Sequence, residues 1–133
     1  MTVAHVAVNV TDWGRAKAFY EPVLGSLGYR VVYEEAGALA YFADDRGLDF
    51  GIGRRDPVGG AHVAFDCDDR SSVDAFHAAA LEAGGRDNGP PGLRPHYDAN
   101  YYAAYVLDPD GNNIEVVHHG PANRSAASVK ITF

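Results

Sequence analysis

An α+β fold is the architecture this sequence predicts: two βαβββ modules whose sheets curve around a common hollow, with the helices outside. Two observations predict it. The segment His5-Val6-Ala7 recurs as His62-Val63-Ala64, 57 residues on, and Asp12, Ala18-Phe19 and Gly28 recur at the same spacing as Asp69, Ala75-Phe76 and Gly85. Each opening is also followed by the same change of hydrophobic period, from two to 3.6 and back to two. At 133 residues the chain suits one domain and is too short for two ordinary ones.

In module one, residues 1–54, Val6, Val8 and Val10 alternate with His5, Ala7 and Asn9, which is a strand with one apolar face. Asp12 is a good helix N-cap for the run Arg15–Tyr20, and Pro22 predicts that this helix ends or changes pitch before it. Three strands follow, Tyr29–Glu34, Ala38–Ala43 and Leu48–Gly53, and Arg54–Gly60 reads as a linker. In module two, residues 60–119, Val63, Phe65 and Cys67 form the apolar face of the first strand. The second helix is expected to start at Ser71 or Ser72, with Asp74 placed for a weak capping box. It puts Val73, Phe76, Ala80 and Leu81 on one stripe and stops at Gly84-Gly85.

The remaining strands of module two are expected near Gly85–Asn88, Tyr101–Leu107 and Asn113–His118. An inserted loop, Gly89–Asn100, separates the first two and shifts the repeat spacing to 64, so Gly47 corresponds to Gly111. Residues 121–133 read as a tail whose last five residues could form an edge strand. Residues 1–120 thus make a single domain. The valine faces would meet the helices, and His5, Ala7, Asn9, His62, Ala64 and Asp66 would line the hollow.

Composition narrows the partners. Hydrophobic residues make up 47%, and the net charge is −7 with only 11 Lys and Arg, scattered along the chain. A duplex-binding surface needs clustered cations to release counterions, so nucleic acid and anionic membranes are excluded as expected partners. One cysteine allows no internal disulfide. No basic-then-apolar leader and no apolar stretch of membrane-spanning length is present, so the cytoplasm is the expected location.

Four motifs together resemble one family. They are His5-Val6-Ala7-Val8 leading through Asp12 to Ala18-Phe19-Tyr20-Glu21-Pro22-Val23-Leu24-Gly25, then His62-Val63-Ala64-Phe65, then Asp108-Pro109-Asp110-Gly111-Asn112-Asn113-Ile114-Glu115, and the duplication itself. In that order they resemble the glyoxalase/bleomycin-resistance/extradiol-dioxygenase, or vicinal oxygen chelate, superfamily over residues 1–119. The resemblance implies paired modules, a U-shaped mixed sheet, a homodimer that sometimes exchanges modules, and often a divalent metal. It places the metal ligands at His5, Gly51, His62 and Glu115. Glycine cannot ligate, so the resemblance leaves three ligands, His5, His62 and Glu115, and departs from the four-ligand glyoxalase I pattern.

The residues themselves add to this. His5 and His62 hold equivalent places in the two repeats, whereas a lone strand-start histidine would more often bond backbone. Glu115 lies between apolar neighbours, where an inward carboxylate costs several kcal/mol unless paired or coordinated. Two imidazoles and a carboxylate suit non-haem Fe(II) or catalytic zinc, with Ni and Mn also admissible. A metal-free Glu115–histidine hydrogen-bond network is the competing arrangement. Asp49 could face inward too, or pair with an arginine.

Arg94, His96, Tyr97, Tyr101 and Tyr102 cluster beside the inserted loop and form an expected substrate-binding wall. Glu115, His96 and Tyr101 are the expected catalytic groups. His118 and His119 read as solvated, His77 and Trp13 as structural, and Cys67 as a buried thiol.

Two functions follow. One is a metal-dependent lyase, isomerase or dioxygenase acting on a small oxygen-rich organic substrate. The other is a non-enzymatic small-molecule or antibiotic binder of the bleomycin-resistance type.

Overall fold

In the computed structural model, residues 5–46, 49–56 and 58–119 are described, so the expected tail strand lies outside the described residues. The order is β1 (His5–Val10), α1 (Trp13–Gly25), β2 (Arg30–Glu35), β3 (Leu39–Ala43), β4 (Asp49–Arg54), β5 (His62–Asp66), α2 (Arg70–Glu82), β6 (Arg86–Leu93), β7 (Tyr102–Leu107) and β8 (Asn113–His118). Two βαβββ modules are therefore present. Each makes a four-stranded mixed sheet, in the orders β1-β4-β3-β2 and β5-β8-β7-β6. The first and last strands of each module pair in parallel and sit side by side, and the remaining ladders are antiparallel.

The valine alternation settles which face is buried. Val8 and Val10 are buried while His5 and Ala7 are exposed, and in β5 Phe65 is buried between exposed Ala64 and Asp66. The helix-facing sides of both sheets share one core, in which Phe19, Tyr20 and Leu24 of α1 and Val73 and Phe76 of α2 join Phe50, Phe65, Ile114 and Val116. Burying each such large side chain contributes about 1.5–3 kcal/mol.

Both helices start at an aspartate. Asp12 Oδ1 accepts from the Arg15 amide at 3.0 Å, and Asp69 Oδ1 accepts from the Ser72 amide at 2.8 Å. The second helix therefore begins at Arg70 rather than at Ser71 or Ser72, because Asp69 with its extended backbone is the better cap. Leu81, expected on the buried stripe, is 41% exposed.

Two further expectations are corrected. The first helix runs through Pro22 to Gly25 without a break. Pro22 is exposed while Phe19, Tyr20, Val23 and Leu24 are buried around it, so packing outweighs the one backbone bond that proline cannot make. Strand β6 does not stop at Asn88. It continues through Gly89-Pro90-Pro91-Gly92 to Leu93, with register shifts between Asp87 and Gly89 and between Gly89 and Gly92. Prolines are compatible with this because β6 is an edge strand, where a missing N–H leaves no ladder partner wanting. The inserted loop is thereby shortened to the segment between Leu93 and Tyr102.

Candidate functional site

The site lies on the face of β5, β8 and β7 turned away from the helices. Alternation along β8 sends Ile114 and Val116 into the main core and Glu115 and Val117 to the other side, where Val117 joins Tyr101, Ala103 and Tyr105. Register places Ala64, Glu115 and Tyr105 in one row across the sheet. The segment Arg94–Tyr101 folds over that row, closed by the Arg94 amide donating to the Tyr101 carbonyl at 2.7 Å.

Glu115 is the centre of the arrangement. It is 0% exposed, and its two oxygens have different partners. The Tyr101 hydroxyl donates to Oε2 in a short, buried hydrogen bond. Oε1 lies 3.1 Å from His62 Nε2, and the His62 side chain is 37% exposed. A buried carboxylate so held avoids the several kcal/mol that an unpaired one would cost.

The other side of His62 is also fixed. Asn88 Nδ2 donates to Asn113 Oδ1 at 3.1 Å, which turns the Asn113 Nδ2 toward His62 Nδ1 at 2.6 Å. In that chain of bonds Nδ1 accepts, so the ring proton sits on Nε2 and points at Glu115. The relay runs from Asn88 through Asn113 and His62 to Glu115.

Aromatic rings wall the site. Tyr97 meets Tyr101 at 5.1 Å between centroids and His96 at 4.2 Å, and His119 packs edge-on against Tyr101 at 5.0 Å. The Arg94 guanidinium lies 5.5 Å from the Tyr105 ring centre and donates to the carbonyls of Gly92 and Pro90 at 2.8 and 2.7 Å. Burial first, and then hydrogen bonding to Glu115, pushes the Tyr101 hydroxyl far above the usual phenol range. Burial and the Glu115 charge push Tyr105 to about 12. Both phenols are therefore neutral donors at physiological pH.

His62, Glu115, Tyr101, Tyr97, His96 and Arg94 thus meet in one region. Tyr102 is placed on the opposite, helix-facing side, where its hydroxyl donates to Asp74 at 2.7 Å and Arg70 covers its ring. His5 stands on β1 of the other sheet, edge-on to Tyr41 at 5.9 Å. Asp49, its register partner, lines a cavity of about 220 Å³ between the sheets together with Arg46, Val6, Phe50, Val63 and Asp66. His119, expected to be solvated, is 8% exposed because the Tyr101 ring and Asp66, 3.6 Å from its Nδ1, enclose it. His118 is half-buried, and its Nδ1 meets the Cys67 carbonyl at 3.1 Å. Cys67 is the expected buried thiol, raised to about 11 by burial.

Tyr41 and Tyr105 escaped the sequence reading. The spacing of 64 that relates Gly51 to Glu115 also relates these two tyrosines, so the signal was present.

Among the described residues no group of three or more His, Cys, Asp or Glu side chains is placed to hold a metal ion. The His62–Glu115 pair nevertheless suits a divalent ion. Ligands about 2.1 Å from a metal at adjacent positions stand about 3.0–3.4 Å apart, and His62 Nε2 and Glu115 Oε1 are 3.1 Å apart. Asn113 stands 2.6 Å from the remote ring nitrogen, and with its amide reversed its Oδ1 would accept the Nδ1–H that a ligating histidine donates.

The profile of the Glyoxalase/Bleomycin resistance protein/Dioxygenase superfamily matches residues 2–116. The chain belongs to this superfamily. A glyoxalase/bleomycin resistance protein from Albidiferax ferrireducens T118 is 33% identical, with 86% of this chain and 96% of that chain covered and a TM-score of 0.74. The fold is shared with a glyoxalase-related enzyme from Fulvimarina pelagi, at 20% identity, 100% and 98% coverage and a TM-score of 0.73. It is shared too with a lactoylglutathione lyase from Agrobacterium tumefaciens, at 23% identity, 88% and 92% coverage and a TM-score of 0.68. No curated protein matches. No helix among the described residues is long and apolar enough to cross a membrane.

Proposed function

We propose that this superfamily member is a metal-dependent cytoplasmic enzyme of the lyase, isomerase or dioxygenase type, acting on a small oxygen-rich organic substrate. The observation that carries the reading is the fully buried Glu115, with one oxygen pinned by Tyr101 and the other 3.1 Å from the half-exposed His62. His62 and Glu115 would hold the ion (Zn, Fe(II), Ni or Mn) together with His5 of a second copy. Bound there, a divalent ion supplies Lewis acidity toward neighbouring substrate oxygens.

The same residues support a homodimer. β1 and β5 are edge strands, and they carry His5 and His62. Unpaired edges invite strand pairing. Setting β1 of one copy beside β5 of another would complete the U-shaped sheet and join the three ligands.

The chain's own groups then divide the work. Tyr101 keeps its proton, so it orients Glu115 and acts through it. With Oε1 and the His62 Nε2 given to the ion, proton exchange with the substrate falls to a group outside the ligand set. His96, beside Tyr97 on the loop, is the candidate for proton transfer, and Arg94 keeps donors for an anionic group.

The experiment is elemental mass spectrometry of protein purified without chelator, wild type and Glu115→Ala. The reading expects stoichiometric divalent metal in the first and its loss in the second. Metal-free wild type whose ligand affinity is untouched by His62→Ala would instead favour a binding protein of the bleomycin-resistance type. The continuous ring contacts of His96, Tyr97, Tyr101 and His119 are the observation that favours that alternative.

A further inference from the structure

The duplication sets two rows of residues in equivalent places. Across the second sheet the row is Ala64, Glu115, Tyr105, and across the first it is Ala7, Gly51, Tyr41. The outer members agree, and the middle one differs.

That difference has a steric counterpart. A Cβ built on Gly51 would lie 2.8 Å from Cδ1 and 2.9 Å from Cζ of Tyr41, and nearer still to Cε1. A side chain at position 51 requires the ring of Tyr41 to move, because that ring already occupies the space. In the second sheet Tyr105 leaves that space to Glu115. The Tyr41 ring meets His5 edge-on, with an angle of 87° between the planes. Among the described residues no hydrogen bond engages its hydroxyl.

We propose that Tyr41 fills the fourth ligand position of the site, so that a phenol rather than a carboxylate meets the bound molecule beside His5. The proposal rests on the metal reading above and adds a ligand class to it. Two neutral imidazoles and one carboxylate leave a divalent ion with a net charge of +1. A second carboxylate at position 51 would cancel it. The phenol leaves the charge in place and adds a neutral donor, a combination that selects an anionic oxygen chelator with an acceptor atom toward Tyr41.

The test is calorimetric titration of the full chain with Zn2+ alone, in wild type, Gly51→Glu and Tyr41→Ala/Gly51→Glu. The expected result is no gain in affinity for Gly51→Glu and at least a tenfold gain for the double variant. A tenfold gain in Gly51→Glu alone, or none in the double variant, overturns the assignment. Wild type that binds no Zn2+ counts against the metal reading. The role of Tyr41 is then decided by whether the double variant gains binding that Gly51→Glu lacks. Gly51→Ala guards against misfolding of the glutamate variants. It should lower the melting temperature, and adding Tyr41→Ala should restore it. An unchanged melting temperature in Gly51→Ala also overturns the proposal.

Discussion

The Tyr20 hydroxyl donates to Asp108 Oδ2 across 2.5 Å, and through it α1 of the first module grips the turn that precedes β8 of the second. Asp108 also accepts from the Asn112 amide and side chain, both at 2.8 Å, and from the Asp110 amide at 2.9 Å. Gly111 completes the turn with a φ of 86°, which favours glycine. The turn thus sets where β8, and with it Glu115, enters the sheet.

Tyr20→Phe should therefore destabilise the protein by about 1–3 kcal/mol, because a buried carboxylate loses a donor. Urea denaturation reads the loss. Zn2+ affinity of the folded fraction should change little, since the remaining three donors keep the turn in shape.

Tyr101→Phe should act at the site itself. It strips Glu115 Oε2 of its donor while the carboxylate stays buried, at a cost of about 1–3 kcal/mol in stability. Unlike Tyr20→Phe, it should also weaken Zn2+ binding, because the carboxylate is no longer oriented. Equal Zn2+ affinity in the two variants would count against an orienting role.

The Asn88–Asn113–His62 relay predicts a tautomer change. Without metal, imidazole 15N spectra should show the His62 proton on Nε2. Zn2+ needs the Nε2 lone pair, so the proton must move to Nδ1 with both amides reversed. Asn113→Leu removes the relay and should lower Zn2+ affinity by about 10–100-fold with little change in melting temperature. A His62 signal that does not respond to Zn2+ would exclude this residue as a ligand.

Stability should fall in strong alkali. Burial raises Tyr105 to about 12, and it raises Tyr101 and Tyr20 as well. An unfolded tyrosine titrates near 10. Above about pH 10 the folded chain therefore holds more protons than the unfolded one, and the stabilisation present below that pH is lost as the pH rises toward the folded values. Denaturation midpoints at about pH 9 and about pH 11 check the sign. The phenolate absorbance of these three residues should appear together with unfolding.

Much of this was legible in the sequence because duplication writes it twice. The equivalence of His5 with His62 and of Gly51 with Glu115 comes from the spacing, and the family resemblance is what makes those places candidate ligand positions. What hid was local competition between signals. Ser71 and Ser72 look like caps, yet Asp69 prevails, as the equivalence with Asp12 implied. Pro90 and Pro91 look like a loop because proline cannot join a central strand, and the sequence does not announce that β6 lies at an edge. His119 looks solvated because its cover, Tyr101 and Asp66, is distant along the chain. Tyr102 opens β7 and faces the helices while Tyr101, just before the strand, faces Glu115, so a cluster in one dimension became two environments in three.

The prolines of β6 also bear on colloidal behaviour. Pro90 and Pro91 carry no amide proton and fall where the register shifts between Gly89 and Gly92, so the outer rim of their sheet is irregular there. A further strand docking there would find gaps in its ladder. The β5 border has no such irregularity in its ladder. Were copies to join along β5 as proposed, the irregular β6 border would refuse a further strand, which would favour discrete assemblies over fibres.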